Sequence, residues 1–367
     1  MKQLAPEGDE SGKRERFILE YRGYLMFKVL VVLALLAFVI LVAGYAITMG
    51  ARDISMLETY GYIWNHIIGT KYEFRSEDWF NDYAIWHVRS PRVFAAIFAG
   101  FGLAVCGCVM QAVSRNPLAD PYTTGMSAGA VFGVSIGMVF GFTLSSVNGD
   151  MGLMFNAFLF GLVPAVFIIL VSNGNNRSPA TIILAGIAIS YLFSSLSTIA
   201  MMYASEATIR SAYLWQLGTM ERVTSQMLPL MAAGVAICSI VIYIFSRQLN
   251  LLYLGTGSAS TLGLDVSTFR TIMIVITAVL TATIISFTGI IGFVGLVAPH
   301  VMRRFVSSDN RYLIPSSGLL GAAFLLACDT IGHSPAIGID VPVGVIMSFV
   351  GAPIFLYIIV RSKKGAI

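Results

Sequence analysis

The chain has 367 residues, 57% of them hydrophobic and 11% charged, with a net charge of +4 and a mean hydropathy of +0.80. Soluble domains carry about 25% charged residues, so a soluble globular protein is excluded. Long unbroken apolar runs select membrane helices over a barrel of short alternating strands, and the basic residues sit in short loops between the runs rather than in a nucleic-acid-binding patch.

The first 25 or so residues carry Glu7, Asp9, Glu10, Lys13, Arg14, Glu15 and Arg16 with no small-residue cleavage site. They read as a retained cytoplasmic tail, 1–25, ahead of a transmembrane domain, 26–361, and a short cytoplasmic tail, 362–367. Apolar runs place ten spans at about 26–49, 92–113, 122–143, 152–172, 180–203, 226–246, 268–289, 291–305, 313–332 and 341–360. The fold class is therefore an all-α polytopic membrane protein. With both termini inside, only Arg52, Lys71, Arg75, Arg89, Arg92, Arg210 and Arg222 of the 23 Lys and Arg lie outside, the bias expected in a cell membrane.

Between spans one and two, residues 50–91 hold Trp64, Trp79, Trp86, Tyr60, Tyr62, Tyr72 and Tyr83, a density suited to a segment lying at headgroup level. Span two opens at Arg89-Ser90-Pro91-Arg92. Ala96, Gly100, Ala104, Cys108 and Ala112 recur on one face of it, so another helix can approach closely there. The polar break Arg115-Asn116-Pro117-Leu118-Ala119-Asp120-Pro121 closes it. Span three carries Gly125, Gly129, Gly133, Gly137 and Gly141 at intervals of four, a groove for a neighbouring helix. The cysteines Cys106, Cys108, Cys238 and Cys328 all fall in apolar spans and read as small buried hydrophobes; no metal-ligand spacing is present.

A polar turn, Ser172 to Ala180, joins spans four and five. Span five then carries Ser190, Ser194, Ser195, Ser197 and Thr198, which suit either bonds to their own backbone or a polar translocation path. From Ser246 to Phe269 the sequence is too apolar for a free linker and too interrupted to span. Two short helices around Gly255 and Gly257 fit it, presenting leucines to the membrane surface or to a partner. Span seven is Thr-rich and runs into a glycine turn at Gly289 to Gly295. Pro299-His300 precedes Arg303 and Arg304, and this histidine reads as structural. Asp329 is the one acid well inside a span, a functional candidate because such a group is costly unless paired.

No GxxxxGK[ST] or HExxH occurs, so the chain has no nucleotide-cradling loop or zinc-hydrolase motif of its own. An intramembrane enzyme built on His300, Arg303 and Asp329 would need those groups at one depth. An ion-driven secondary transporter would need no partner.

Residues 89–92, GCVMQAVSRNPLADP, GMSAGAVFG, GFVGLVAPHVMRR and DVPVGVIMSFVGAPIFLYII, in that order, resemble the FecCD family of ABC-importer permeases over about residues 29–364. The resemblance implies a BtuC-like, type II permease acting as a homodimer. It would work with two ATPase subunits, which bind the ATP, and one extracytoplasmic binding protein. It further implies binding-protein docking at Arg89 and Arg92 and at the position of His333, where the family usually has arginine. It places ATPase coupling in about 247–267, through Leu251, Leu254, Gly255, Ala259, Leu262 and Gly263; Thr256-Gly257-Ser258 stands where many members have an acid. It assigns a cytoplasmic gate to Ser178, Pro179 and Ala180 and the pathway to Ser190 and Ser194. No cofactor or metal of the chain's own is implied. A ferric siderophore is the expected cargo, with cobalamin or haem as the alternative.

Overall fold

A computed structural model describes residues 8–50, 52–144, 149–172, 179–334 and 339–364, and the regular structure among them is helical throughout. In chain order the helices are α1 (Gly8–Thr48), α2 (Met56–Ile67), α3 (Glu77–Tyr83), α4 (Ser90–Ser114), α5 (Met126–Phe140), α6 (Asp150–Ser172), α7 (Pro179–Met201) and α8 (Glu206–Gln216). They continue with α9 (Leu228–Ile244), α10 (Ser246–Tyr253), α11 (Thr256–Thr261), α12 (Val266–Thr288), α13 (Val294–Val306), α14 (Asn310–Gly332) and α15 (Val343–Lys364).

Each of the ten expected spans coincides with one helix. Length and composition alone, however, qualify six described helices as spans, or seven if α9 and α10, bent by 59° at their junction, are taken together. α5 and α13 have only 15 and 13 residues, about 20 Å each against a hydrocarbon core of about 30 Å.

Two boundaries differ from the sequence reading. α1 starts at Gly8, so residues 8–25, read as a tail, are helical and continuous with the first span. Its Glu, Lys and Arg residues are good helix formers that carry no apolar period to reveal them. The second difference is a continuous helical run of 38 residues, Glu77–Ser114, which takes in part of what reads as loop. Ser76 caps its start by accepting from Trp79 N. The turn Ala84–Arg89 is a π-helix whose next amide, Ser90 N, donates to Ile85 O. That extra residue lets Pro91, which has no N–H, sit inside the run without ending it.

α2 is held by a capping box between Ser55 and Glu58. Leu57, Trp64, Ile67 and Ile68 form a stripe on it that faces away from the rest of the fold, as suits a helix lying in a lipid interface.

α4 is the central helix, with 78% of its apolar window buried. Its small-residue stripe meets α14. A Cβ on Gly100 would strike Gly321 O and come within 2.8 Å of the Ala322 Cα, while one on Gly321 would lie 2.6 Å from the Ala104 Cβ. The glycine row of α5 meets α6 in the same way, with a Cβ on Gly133 falling 2.6 Å from Asn156 O. Fully buried Asn156 then closes the pair. Its side chain donates to Gly133 O at 3.1 Å and Phe142 O at 2.7 Å and accepts from Leu144 N at 2.9 Å. This ties α6 to the middle of α5 and to the turn that follows it.

A valine at Gly100 would force two backbones apart, so Gly100→Val is expected to lower stability by about 2–3 kcal/mol or more. A thermal melt of the detergent-solubilised protein measures it, and an unchanged midpoint would contradict the contact.

Candidate functional site

The antiparallel pair α4 and α14 carries polar clusters at both its ends. At the first, the mouth end, Arg92 uses its whole guanidinium fork. It donates to Asp329 at 2.8 and 3.1 Å and to Asp340 at 3.1 and 3.1 Å. Asp329 lies in the last turns of α14 and Asp340 just before α15, so one arginine ties three elements together. His333 Nδ1 lies 3.2 Å from Asp340 Oδ2. Burial raises the Asp340 carboxyl, but the hydrogen bonds and charge of Arg92, with His333, outweigh it and hold the group below its ordinary value.

Arg89 has a different set of partners. Its Nη1 donates to Thr48 O at 2.9 Å and Ile47 O at 3.4 Å, and its Nη2 to Arg52 O. It therefore caps the C-terminus of α1, where carbonyls lack helical donors and a cation is favoured. Arg222 does the same for α8, donating to Leu214 O at 2.9 Å and Trp215 O at 3.3 Å.

The resemblance implies that Arg89 and Arg92, at the opening of span two, face a binding protein. The structure turns both inward, 5% and 6% exposed. An arginine at the edge of an apolar bundle gains more from carbonyls and carboxylates within reach than it would from lying buried without them. His333 and Asp340 are the more exposed members, with side chains 21% and 37% accessible. Sequence reasoning names Asp329 as an acid in need of a partner but does not find that partner. Arg92, a cation at the same expected depth, was the available signal; Asp340 had none.

At the opposite, base end, α10 and α11 are the two short helices expected, separated by Gly255 at φ 97°. Leu249 and Leu252 anchor them in the core, and Ala259 is also fully buried. Leu254 and Leu262 are about 60% exposed and Gly263 is exposed, while Leu251 and Gly255 are half-buried. The six residues expected to couple thus divide between an inward and an outward face.

The segment is also fixed by polar bonds that the sequence did not reveal. Asn250 Nδ2 donates to Asp309 Oδ1 at 2.8 Å, while Asn250 Oδ1 accepts from Asn310 N at 2.8 Å and Asn310 Nδ2 at 2.9 Å. Asp309 in turn caps α14 through Arg311 N and pairs with the Arg311 side chain at 2.7 Å. Burial raises the Asp309 carboxyl, but the bonds from Arg311 and Asn250 together outweigh it and hold it at about 2. Nearby, Lys28 on α1 donates to Ser307 Oγ at 3.0 Å and lies 4.3 Å from the Tyr24 ring and 5.0 Å from that of Tyr312.

Of the expected gate, Ser178 lies outside the described residues, and Pro179 and Ala180 open α7. Ser190 donates to Gly186 O at 2.8 Å and Thr198 to Ser194 O at 2.9 Å, so the polar residues of α7 bond to their own helix. Ser194 is exposed, on a face with Leu184 and Tyr191 that nothing in the single chain covers. All four cysteines are free and buried. His300 and Asp329 lie on helices α13 and α14, and Asp329 is bonded to Arg92, so the triad of a membrane enzyme is not assembled. Among the described residues no group of three His, Cys, Asp or Glu side chains is placed to hold a metal ion.

A bundle of apolar helices with tight small-residue contacts and polar clusters at both ends of its central pair defines a multi-pass membrane protein. The FecCD transport family model matches residues 29–361, and the chain belongs to that family. It is 36% identical to the cobalamin import system permease BtuC of Halobacterium salinarum, covering 74% of this chain and 72% of that one. It is 33% identical to the hemin transport system permease HmuU of Yersinia pestis, covering 77% and 85%. Among solved structures it resembles a metal-chelate-type ABC transporter in an inward-facing conformation, with a TM-score of 0.77, 26% identity and coverage of 90% and 98%. It is thus a BtuC-like permease of the ABC-importer class.

Two outcomes follow. Arg92→Leu leaves two carboxylates without their cation and is expected to cost about 3–5 kcal/mol, read as a lowered melting midpoint; Arg92→Met combined with Asp329→Leu should recover much of it. Asp309, depressed to about 2 from 3.8, contributes stability that is present above about pH 4 and lost as pH falls through about 2. A melting series across that window should show the loss, and Asp309→Asn should flatten it.

Proposed function

We propose that the chain is the translocating subunit of an importer that carries a metal chelate, a ferric siderophore first, across the cytoplasmic membrane into the cell. Cobalamin or haem is the second reading. The observation that supports it is the family match over residues 29–361 together with relatives named for cobalamin and hemin import. Two copies would enclose the pathway, with the uncovered face of α7, including Ser194, turned toward the partner copy and Ser190 deeper on the same helix. Pro179 and Ala180 at the start of α7, with Ser178 before them, would form the gate.

In this reading the base end and both termini face the cytoplasm, where two ATPase subunits bind ATP and engage the α10–α11 segment. Leu254, Leu262 and Gly263 would touch them, and Leu251, Gly255 and Ala259 would support that surface from behind. The binding protein would seat on the mouth end. His333 and Asp340 are exposed enough to meet it, whereas Arg89 and Arg92, being buried, would hold the rim in shape.

Uptake of iron-55 ferric siderophore, cobalt-57 cobalamin and labelled haem by cells with and without the chain is the test. Loss of iron uptake alone supports the first reading, and loss of cobalamin or haem uptake alone supports the second. Import that persists when the ATPase subunit is deleted would overturn both.

A further inference from the structure

The α10–α11 segment is joined to the rest of the chain in two physically different ways. Leu249 and Leu252 are buried in the core, and apolar contacts of this kind are non-directional, tolerating sliding along a helix surface. Asn250, between them, makes three directional hydrogen bonds, all to the first residues of α14 and its cap. One of them, Asn310 N to Asn250 Oδ1, satisfies an amide at the first position of α14 that has no partner within its own helix. Asp309 accepts from Arg311 N, so α14 has two caps, one from its own chain neighbour and one from α10.

Asn310 is fully buried. Shearing the α10–α11 segment away from α14 would therefore expose or strand several polar groups at once, each at a cost that apolar sliding does not carry. α14 has 23 residues, about 34 Å at 1.5 Å per residue. Its far end holds Asp329, which grips Arg92 and through it Asp340 at the mouth. α14 is thus a continuous helix, with Pro315 inside it, between the α10–α11 segment and the mouth cluster, tied to the segment by the three bonds of Asn250 and by Tyr253, which also bonds to Asn310.

We propose that Asn250 is a positioning residue that locks the α10–α11 segment to α14, so that displacement of the segment moves α14 and reaches the mouth. The inference rests on the reading of that segment as the ATPase contact. The side chain itself touches neither cargo nor nucleotide; it determines whether work done at the base is delivered to the mouth or lost in slippage.

The test uses the complete complex of permease, ATPase and binding protein in liposomes. The probe is iron-55 ferric siderophore or cobalt-57 cobalamin, whichever the unaltered complex imports, and the readout is molecules imported per ATP hydrolysed. Asn250→Ala is expected to leave the ATPase bound and hydrolysing while that ratio drops about tenfold. Asn250→Asp, which sets a second carboxylate against Asp309, should do the same. Adding Asp309→Asn should restore the ratio in part, because the amide this places at the cap can donate across the contact where Asn250 did, at the loss of the Arg311 N bond that uses the same Oδ1. This exchange carries the test if the alanine variant does not assemble.

A ratio that stays at the unaltered value, or import and hydrolysis falling in proportion without rescue by the exchange, overturns the proposal. Leu254→Asp, on the exposed face and outside the hydrogen-bonded cluster, separates it from the reading beneath it. If Leu254→Asp releases the ATPase while Asn250→Ala keeps the ratio, the reading stands and this inference falls. If Leu254→Asp leaves the ATPase bound, the reading fails and takes the inference with it.

Discussion

The contact between the backbones of α4 and α14 at Gly100 and Gly321 fixes the rest of the molecule. Two antiparallel helices that touch at one point have their register set along their whole length. Arg92 precedes Gly100 by eight residues and Asp329 follows Gly321 by eight, so both lie about 12 Å from the crossing, on the same side of it. The Arg92–Asp329 pair is a geometric consequence of the glycine contact. Toward the base, the same register brings Cys108 Sγ within 4.0 Å of Leu313 O, and just beyond lies the N-terminus of α14, where Asn250 docks.

Charge follows packing in this protein. A buried ion pair gains little over well-packed apolar groups, whereas a buried arginine without its acids is severely destabilising. Arg92 therefore punishes any other register of α4 against α14 more than it rewards the right one. The second acid, Asp340, lies outside the helices, so the same arginine also fixes the approach of α15. Arg89 and Arg222 show a complementary use of the guanidinium, closing the carbonyl ends of α1 and α8. The arginines that read as a surface in the sequence are in this way internal fasteners of the mouth.

Much of the fold was legible because apolar length and small-residue spacing are local signals. The ten apolar runs each became a helix, the stripe from Ala96 to Ala112 and the glycine row from Gly129 to Gly137 both became helix contacts, and the segment around Gly255 became two short helices. What escaped has no local signature. Helix from Gly8 to residue 25 and from Glu77 to Ser90 is polar or aromatic, with no apolar period to mark it. Arg92 and Asp340 are 248 residues apart, and nothing in either neighbourhood names the other. Asn250 and Asn156 look like ordinary polar residues in sequence, yet Asn250 caps the start of α14 and Asn156 ties α6 to the middle of α5 and the turn after it. Recognising them needs the fold first, because an orphan carbonyl or amide is defined by where another helix stops.

In the α10–α11 segment, Thr256-Gly257-Ser258 carries no carboxylate. With no carboxylate there, the outward face offers Leu254 and Leu262, and a Cβ added at Gly257 or Gly263 would meet nothing within 4 Å. The same face exposes Thr256, Ser258, Ser260 and Thr261, so in the proposed reading a partner seated on it would meet hydroxyl groups as well as leucines. On the other side of the segment the hydrogen bonds of Asn250 fix its position against α14. In the proposed reading the two faces divide the work: the outer one sets how tightly a partner holds, and the inner, hydrogen-bonded one sets which helix feels it.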